Sequence, residues 1–461
     1  MNRIIIKNGT IVTAENIFQG DIEICDGKIF CIGLQLEEKD AQVINAADKL
    51  ILPGIIDSHV HFEELFPGGC HNADDFESGT QAAAAGGVTT VIDFTSPQTR
   101  SESLIKAFHR RQQQANPKVI VDYTLHSCFP GGVTPGLLAE MKEIVKFGVT
   151  SFKLFTVGKN LGLNRGEVFA IMQQAATLNA MIDVHAEEGP IIEFLEDQLL
   201  KAGKKAVSYF PQSHPNFVEE TVVRSLITLN ASLNGRLYFV HLSAGESVDA
   251  LNWGRTLTGQ VFGETCPQYL LLDDRCYEQD NGEQYEIVPP LRRHEDQKQL
   301  WRGISEGLIQ VVGTDHCPFM SQLKQGKSDF TQVLRGMGGV ELLLPLMFSE
   351  GVVKNQISLN QLVQILSTNP AQIFGMFPQK GTIAINSDAD LVIFDPEKKW
   401  QVATDKLVSR ADFSPYNLFN LTGKVEMTVS RGEIIYRNGE LLGKAGRGKF
   451  VFRGLKKMSS Q

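Results

Sequence analysis

Six residues of this sequence have side chains that could bind or bridge metal ions. They are His59, His61, Lys153, His185, His241 and Asp315. One residue separates the first two histidines, and alternate residues of a β-strand point to the same side, so both imidazoles could bind one ion. Imidazoles combined with oxygen ligands, without an ordered set of cysteines, favour zinc, with manganese, cobalt and iron as alternatives.

The number of candidate ligands predicts two metal ions rather than one. A tetrahedral ion takes about four ligands, and four histidines with an aspartate exceed that number. Two ions about 3.5–4 Å apart that share a bridging oxygen ligand account for the set better. The ammonium group of Lys153 cannot bind a cation. This residue can contribute only after CO2 converts it to a carbamate, which offers one oxygen to each ion.

Each candidate has an ordinary explanation when it is considered alone. A single histidine at a strand end often packs in the core, and a lysine in an apolar strand such as FKLF often extends to the rim. Asp315, which precedes His316 and Pro318, could form a turn. Independent explanations would not place every candidate toward the end of a predicted strand, so we favour the metal site.

Eight short apolar runs, rich in β-branched residues, alternate with longer stretches that are compatible with helices. The runs are GIIDSHVH (54–61), VTTVIDFT (88–95), VIVDYTLHSC (119–128), SFKLFT (151–156), MIDVHAEE (181–188), LYFVHLS (237–243), VFGETCPQY (261–269) and IQVVGTDHCP (309–318). Helices are predicted between them, for example at 75–85 and 136–147, each followed by glycine. Eight such βα units predict a (β/α)8 barrel whose functional residues lie at the C-terminal ends of the strands.

Both ends of the chain alternate apolar and polar residues and contain turn sequences such as Asn8-Gly9 and Asn438-Gly439. We expect the two ends to form one β-sandwich into which the central segment is inserted. The predicted fold is therefore α/β, a (β/α)8 TIM barrel with a small β-sandwich domain. The expected domains are residues 1–52 for the N-terminal part of the sandwich, 53–380 for the barrel, and 381–461 for the C-terminal part and tail.

Composition excludes several classes of partner. The chain has 461 residues, 42% of them hydrophobic, and a formal charge of −9, so it offers no basic face for nucleic acid. It has no uninterrupted apolar stretch of about 18 residues, and its first residues lack the pattern of a signal peptide, so we expect no membrane partner. The seven cysteines are scattered and form no paired motif, which predicts a reducing, cytoplasmic location.

A set of motifs covers nearly the whole chain. They are PGIIDSHVHF, GVTTVIDFTSP, FKLF, DVHAEE, VHLS, ETCPQYL, PPLR, GTDHCPF, NPAQIFG, KGTIAINSDADLVIFD and SPYNLFNLTGKVEMTVSRGEIIYRNGE. In combination they resemble the dihydropyrimidinase and hydantoinase branch of the cyclic amidohydrolases. The resemblance implies that His59 and His61 bind the more buried ion, that His185 and His241 bind the second, and that carboxylated Lys153 bridges them. It also implies that Asp315 binds the first ion and shuttles protons.

The sequence departs from the family pattern at residues that contact substrate. The family usually has a tyrosine five residues after the bridging lysine, whereas this chain has Gly158. Where the family has a serine before Pro-Pro-Leu-Arg, Val288 can still offer its backbone to the ring amide of the substrate. The Asn-Gly-Gly segment of the family is replaced around Arg335 and Met337. We therefore expect the metal chemistry to be retained and the substrate preference to be altered.

The expected reaction is hydrolysis of a cyclic amide or ureide, a dihydropyrimidine or a 5-substituted hydantoin, to an N-carbamoyl amino acid. An allantoinase-like or dihydroorotase-like activity is an alternative. A dihydroorotase-like site favours an arginine two residues after His61, where this chain has Glu63. A non-catalytic scaffold of the same fold is a further alternative, although such relatives lose metal ligands. We also expect a homo-oligomer, either a dimer or a tetramer.

Overall fold

The computed structural model describes residues 3–66, 69–158 and 161–454, and these residues form seventeen strands and fourteen α-helices. The strands are β1 (Arg3–Val12), β2 (Ile17–Cys25), β3 (Lys28–Gly33), β4 (Gln42–Asn45), β5 (Leu50–Pro53), β6 (Ile55–Val60), β7 (Val88–Phe94), β8 (Asp122–Cys128), β9 (Ser151–Phe155), β10 (Met181–His185), β11 (Arg236–Phe239), β12 (Val261–Thr265), β13 (Val311–Val312), β14 (Leu391–Gln401), β15 (Asn420–Ser430), β16 (Glu433–Arg437) and β17 (Glu440–Leu441). The α-helices are α1 (Phe76–Ala85), α2 (Leu104–Ala115), α3 (Pro135–Lys146), α4 (Arg165–Leu178), α5 (Gly189–Lys201), α6 (Phe210–Ser213), α7 (Asn216–Leu233), α8 (Gly245–Leu257), α9 (Pro267–Leu271), α10 (His294–Ser305), α11 (Ser321–Lys324), α12 (Leu343–Leu346), α13 (Leu359–Val363) and α14 (Asn369–Ile373).

The central segment forms an eight-stranded parallel sheet in which β6 to β13 follow one another in chain order. A parallel bridge between Val60 and His316 brings the two ends of this sheet together, and the backbone N–H of His61 donates to the carbonyl of His316 at 2.9 Å. The sheet is thus nearly closed into a barrel. Each of the eight predicted runs overlaps one of these strands, so the predicted barrel is confirmed.

Capping residues and a glycine set the ends of the helices α1 and α3. Asp75 caps α1 by accepting a hydrogen bond from the backbone of Ser78, whose hydroxyl contacts the Asp75 backbone in return. This arrangement satisfies donors that the first helical turn leaves unpaired. Gly87, with φ of +83°, turns the chain into the next strand. Helix α3, which begins at Pro135 after the Thr134 cap, lies within one residue of the predicted 136–147 at both ends.

The two ends of the chain meet in a single mixed sheet of nine strands. Antiparallel pairing of β5 with β14, through pairs such as Leu52 with Val392, joins the N-terminal and C-terminal parts. Buried isoleucines from both parts, among them Ile22 and Ile393, form a core of their own. The expectation of a small β domain built from both chain ends is confirmed, while the boundaries at residues 52 and 380 stay a prediction. Residues 1–2 and 455–461 of the predicted domains lie outside the described residues.

The last described residues return to the barrel. Backbone hydrogen bonds join Tyr123 of β8 to Lys449 and Val451 at 2.9 and 2.7 Å. Arg453 is 1% exposed, and its guanidinium donates to the hydroxyl of Ser151 at 2.9 Å. The C-terminal segment therefore packs against strands β8 and β9 as well as following the terminal sheet. Among the described helices, none combines the length and apolar character needed to cross a membrane.

Candidate metal centre

His59, His61 and Asp315 converge at one end of the barrel. The Nε2 atoms of His59 and His61 each lie 3.2 Å from Oδ1 of Asp315. His59 belongs to β6, His61 follows it, and Asp315 follows β13, so the closure of the barrel brings the first and last strands into contact here. One ligand atom from each residue lies within 4.8 Å of the others, which is a spacing compatible with a shared metal ion.

The remaining three candidates lie beside this group. The rings of His185 and His241 are 4.6 Å apart, and the ring of His241 is 5.3 Å from that of His59. Lys153 is 1% exposed, and its Nζ atom lies 5.3 Å from the ring centre of Phe94. The structure therefore brings all six predicted ligands to one mouth of the barrel, at or just after strands β6, β9, β10, β11 and β13.

Two of these residues have unusual backbone conformations. His241 has φ of +39° and Asp315 has φ of +52°, in the left-handed region that non-glycine residues rarely adopt. Such conformations persist where the surrounding structure imposes them, and they cluster at functional sites. His241 comes two residues after β11 and Asp315 three residues after β13, so these turns direct both side chains into the mouth.

A buried carboxylate, Glu264, holds the histidines of both groups. Its Oε1 atom lies 2.8 Å from Nδ1 of His59 and accepts from the backbone N–H of His241 at 3.2 Å. Its Oε2 atom accepts from the hydroxyls of Ser58 and Tyr238 at 2.7 and 2.8 Å. A histidine that binds a metal through one nitrogen usually donates its other ring N–H to such a partner. Glu264 thus orients His59 so that Nε2 faces Asp315.

Glu64 and Glu187 hold two other histidines in the same manner. Glu64 lies 2.6 Å from Nδ1 of His61, and Glu187 lies 2.7 Å from Nε2 of His185 and 2.8 Å from Nδ1 of His214. Sequence reasoning missed Glu64, Glu187 and Glu264. The available signals were weak: Glu64 and Glu187 follow a candidate histidine by three and two residues, and Glu264 lies within the predicted run 261–269.

The local electrostatics suit a cation site with an anionic aspartate. Burial opposes the charge of Asp315, but His59 and His61 hold its pKa well below the usual range. Burial, together with His185 and Lys153, holds the pKa of His241 well below its ordinary value, so this imidazole is neutral. Burial also lowers the pKa of Lys153 against the opposing effect of Asp315. A neutral imidazole and an anionic carboxylate are the protonation states that bind metal ions.

A cavity of about 510 Å³ opens beside His61. It is lined by two segments that the glycine-rich sequence marks as loops, 62–72 and 157–165, through residues such as Phe66 and Leu161, and by Phe94 and Cys128. Residues 67–68 and 159–160 of these segments lie outside the described part of the chain. A concave, mostly apolar site with a few polar groups is typical of pockets that bind small molecules.

The predicted substrate-contacting positions show how this chain departs from its family. Gly158 has φ of +98°, and no atom of the described residues lies within 4 Å of the position that a β-carbon would occupy. Val288 is half-buried. Two residues before it, buried Glu286 lies 3.3 Å from the guanidinium of Arg335, which also lies 3.0 Å from Glu196. The altered segment around Arg335 is therefore anchored by ion pairs.

A second cluster of carboxylates does not resemble a metal site. Asp122, Asp388 and Asp390 approach one another at the opposite end of the fold. The ammonium group of Lys380 lies among them, at 2.6, 3.0 and 2.7 Å respectively. The chain itself thus supplies the cation that these carboxylates require. Burial lowers the pKa of Lys380, but the three carboxylates outweigh this effect and raise it above its ordinary value.

Comparison with known proteins identifies the family. Residues 50–435 match the Amidohydrolase family. The chain belongs to the amidohydrolase family. This amidohydrolase is 38% identical over 455 residues to a D-hydantoinase from Geobacillus stearothermophilus, covering 97% of this chain and 96% of the relative. It is 37% identical to a D-phenylhydantoinase from Escherichia coli, covering 98% of both chains.

Solved structures agree with this assignment. A dihydropyrimidinase from Brevibacillus agri superposes on this amidohydrolase with a TM-score of 0.95 and 38% identity, over 98% of each chain. An L-hydantoinase from Arthrobacter aurescens gives a TM-score of 0.90 and 32% identity, over 98% of this chain and 100% of the other. The predicted resemblance to the dihydropyrimidinase and hydantoinase branch is confirmed.

The donor set of this amidohydrolase fits divalent cations, on which the family generally depends. Within the described part of the chain, two buried polar atoms at the site, Nζ of Lys153 and Nδ1 of His241, have no hydrogen-bond partner. An unpaired buried polar atom is costly unless a further group satisfies it. Imidazole and carboxylate are ligands that zinc and related transition metals accept.

Proposed function

We propose that this protein hydrolyses a cyclic amide or ureide, a dihydropyrimidine or a 5-substituted hydantoin, to an N-carbamoyl amino acid. The convergence of His59, His61 and Asp315 at the barrel mouth is the observation that carries the proposal. Full-length similarity to proteins named D-hydantoinase and dihydropyrimidinase supports it independently. Active sites of barrels of this kind lie at the C-terminal ends of the strands, where these residues lie.

We assign the ligands of two divalent ions as follows. His59, His61 and Asp315 would hold the first ion, His185 and His241 the second, and a carboxylated Lys153 would bridge both. Zinc is the metal that we propose, with manganese, cobalt or iron as alternatives. Burial lowers the pKa of Lys153, and the uncharged amine is the form that reacts with CO2. The neutral amine and CO2 form an N–C bond and release one proton, which leaves an anionic carbamate with two oxygens; starting from the ammonium form, two protons leave in all.

The reaction requires water to attack a carbonyl carbon and a ring nitrogen to leave. When bound, two divalent ions make water more acidic and polarise a carbonyl oxygen. Asp315, which is anionic and 8% exposed, accepts the proton of the attacking water and returns it to the leaving ring nitrogen. The C–N bond of the ring breaks, and the carbamoyl group remains on the product.

Other residues position the reacting groups. Glu264 and Glu187 keep the ring nitrogens of His59 and His185 pointing in fixed directions. We propose that the backbone of Val288 contacts the ring amide of the substrate. The cavity beside His61 would hold the substrate and restrict its contact with solvent. When the ligands are fixed and the substrate is enclosed, fewer protein groups and water molecules must rearrange to reach the transition state.

The dihydroorotase-like alternative would place a cation where Glu63 lies. Instead, the carboxylate of Glu63 lies 2.6 Å from Nζ of Lys118, so this position supplies a neutralised ion pair. The scaffold alternative predicts lost metal ligands, whereas all six candidates are present and adjacent. The first observation favours an uncharged ring as the substrate, and the second favours a catalytic protein.

An activity panel tests the proposal. Purified protein supplied with zinc should open dihydrouracil or a 5-substituted hydantoin, and Asp315→Asn should be inactive on the same compound. Hydrolysis of allantoin or dihydroorotate alone would replace the proposed substrate class. No turnover of any of the four, by protein that retains its metal, would favour the scaffold.

The predicted homo-oligomer and the predicted cytoplasmic location stay predictions. Analytical ultracentrifugation distinguishes a dimer from a tetramer, because the 51.0 kDa chain gives well-separated masses for the two. A species of the mass of one chain at micromolar concentration would contradict the oligomer.

A further inference from the structure

Glu64 joins a candidate metal ligand to the wall of the cavity. One carboxylate oxygen lies 2.6 Å from Nδ1 of His61, and the other accepts from the hydroxyl of Ser96 at 2.9 Å. His61, Glu64 and Ser96 all line the same cavity. The mechanism described above requires only that His61 present Nε2 to a metal, and it does not explain why this carboxylate should come from a loop.

Glu64 belongs to segment 62–72, which we call the cavity loop and of which the structure describes residues 62–66 and 69–72. Hydrogen bonds hold the backbone of this loop close to His61. The backbone N–H of Glu64 donates to the side-chain oxygen of Asn72 at 2.8 Å, and the side-chain amide of Asn72 donates to the carbonyl of His61. Leu65 and His71 pair in an antiparallel bridge within the loop. These contacts fix the backbone on both sides of Glu64, so its carboxylate has little freedom to leave His61.

The charge of Glu64 is suited to orienting an imidazole. Both of its carboxylate oxygens are engaged, one by the imidazole of His61 at 2.6 Å and the other by the hydroxyl of Ser96 at 2.9 Å. A carboxylate beside Nδ1 keeps a proton on that nitrogen, so the proton that zinc displaces comes from Nε2. Nε2 is the atom that lies 3.2 Å from Asp315.

Glu64 differs from the other two carboxylates in its place in the fold. Glu264 and Glu187 are fully buried at the ends of β12 and β10, whereas the side chain of Glu64 is 18% exposed in the cavity loop. The positions of Glu264 and Glu187 are therefore set by the barrel strands. Only Glu64, of these three, depends on the loop for its position.

We propose that Glu64 is a positioning residue that holds His61 for metal binding and makes the first metal site depend on the cavity loop. This inference rests on the proposed role of His61 as a metal ligand. Partners of metal-binding histidines typically change metal affinity by about 10- to 100-fold when they are removed. The expected effect is therefore on one of the two ions.

The chain offers a matched control at the neighbouring residue. Glu63 lines the same cavity and carries the same charge, but its carboxylate pairs with Lys118 rather than with a histidine. Glu63→Gln therefore removes one negative charge from the same loop without touching a candidate ligand. Glu64→Gln removes the charge of Glu64 and keeps an oxygen that can accept from His61, while Glu64→Ala removes both.

The experiment measures zinc binding to metal-depleted protein by competition with a chelator, in bicarbonate-containing buffer and without substrate. Glu64→Ala should weaken one zinc equivalent by about 10- to 100-fold, with a smaller loss for Glu64→Gln and wild-type affinity for Glu63→Gln. The visible spectrum of the cobalt-loaded protein should change in Glu64→Ala and not in Glu63→Gln, because the ligand field at one ion is altered. Glu64→Gln keeps the test valid if Glu64→Ala does not fold.

The outcomes separate this inference from the proposed function. Two wild-type zinc affinities and an unchanged cobalt spectrum in both Glu64 variants would overturn the positioning role and leave the proposed function intact. An equal loss in Glu63→Gln would also overturn it, because the effect would then follow the charge of the loop. A wild-type protein that binds no zinc would overturn the proposed function, and the inference with it.

Discussion

Nε2 of His59 lies 3.2 Å from Oδ1 of Asp315, although His59 lies in the first strand of the barrel and Asp315 follows the last. The contact exists because the strands close, so the fold itself assembles the site. Both residues are buried. We propose His59 as a metal ligand and Asp315 as a metal ligand and proton carrier.

Asp315→Asn should separate metal binding from proton transfer. The amide keeps an oxygen ligand but cannot accept a proton, so we expect most of the metal to remain and kcat to fall by several orders of magnitude. Metal analysis and steady-state kinetics on the same preparation check this. Turnover close to that of the wild type would remove the proposed proton role.

Lys153→Ala should remove the bridging ligand. We expect loss of metal and of most activity, with partial rescue by a short carboxylate such as acetate, which can place oxygens in the same space. Reactivation of metal-depleted wild-type protein by zinc should also be slower in CO2-free buffer. Full activity and metal content in Lys153→Ala would show that no carbamate is needed.

Zinc affinity should fall as the pH is lowered. Burial disfavours a charge on His61, but Glu64 and Asp315 raise its pKa to about 10 in the metal-free protein. Zinc must then displace a proton at any pH below that value, and each displaced proton costs a factor of ten in affinity per pH unit. Titrations at pH 6, 7 and 8 measure the slope, and a pH-independent affinity would contradict the assignment of His61.

We expect this protein to prefer a substrate other than plain dihydrouracil, because Gly158 stands where the family has a tyrosine. The structure adds a condition to this prediction. Gly158 has φ of +98°, so any side chain there strains the loop by roughly 1–2 kcal/mol. Gly158→Ala shares this strain without the phenol and is the matched control.

Gly158→Tyr should exceed Gly158→Ala in kcat/KM for dihydrouracil or hydantoin if the phenol restores a contact with the substrate carbonyl. Equal values for the two variants would show that the hydroxyl does not reach the substrate. Wild-type turnover of dihydrouracil equal to that of tyrosine-bearing relatives would contradict the altered preference itself.

The strands and the proximity of the candidate ligands could be predicted from sequence because they follow local rules. A parallel barrel strand is buried on both faces, so runs such as the one around Val91 are buried throughout and rich in β-branched residues. His59 and Asp315 lie at strand ends, and the ends of parallel strands share one mouth, so their proximity follows once eight strands are counted.

The groups that orient the ligands could not be predicted in this way. A glutamate such as Glu264 on β12 resembles any other glutamate until the closed barrel places Nδ1 of His59, on β6, beside it. The positive φ of Gly158 and the ion pairs of Arg335 likewise depend on residues distant in the chain or on the path of a loop. Such contacts are set by packing rather than by local periodicity.

The central claim is that two metal ions, held by these six residues, are needed to hydrolyse a cyclic amide. The most direct test adds zinc to metal-depleted protein in bicarbonate buffer and follows hydantoin or dihydrouracil hydrolysis at each addition. Catalysis by two metal ions predicts that activity rises from near zero and reaches its plateau at two equivalents per chain. Full activity without metal, or a plateau at one equivalent, would contradict it.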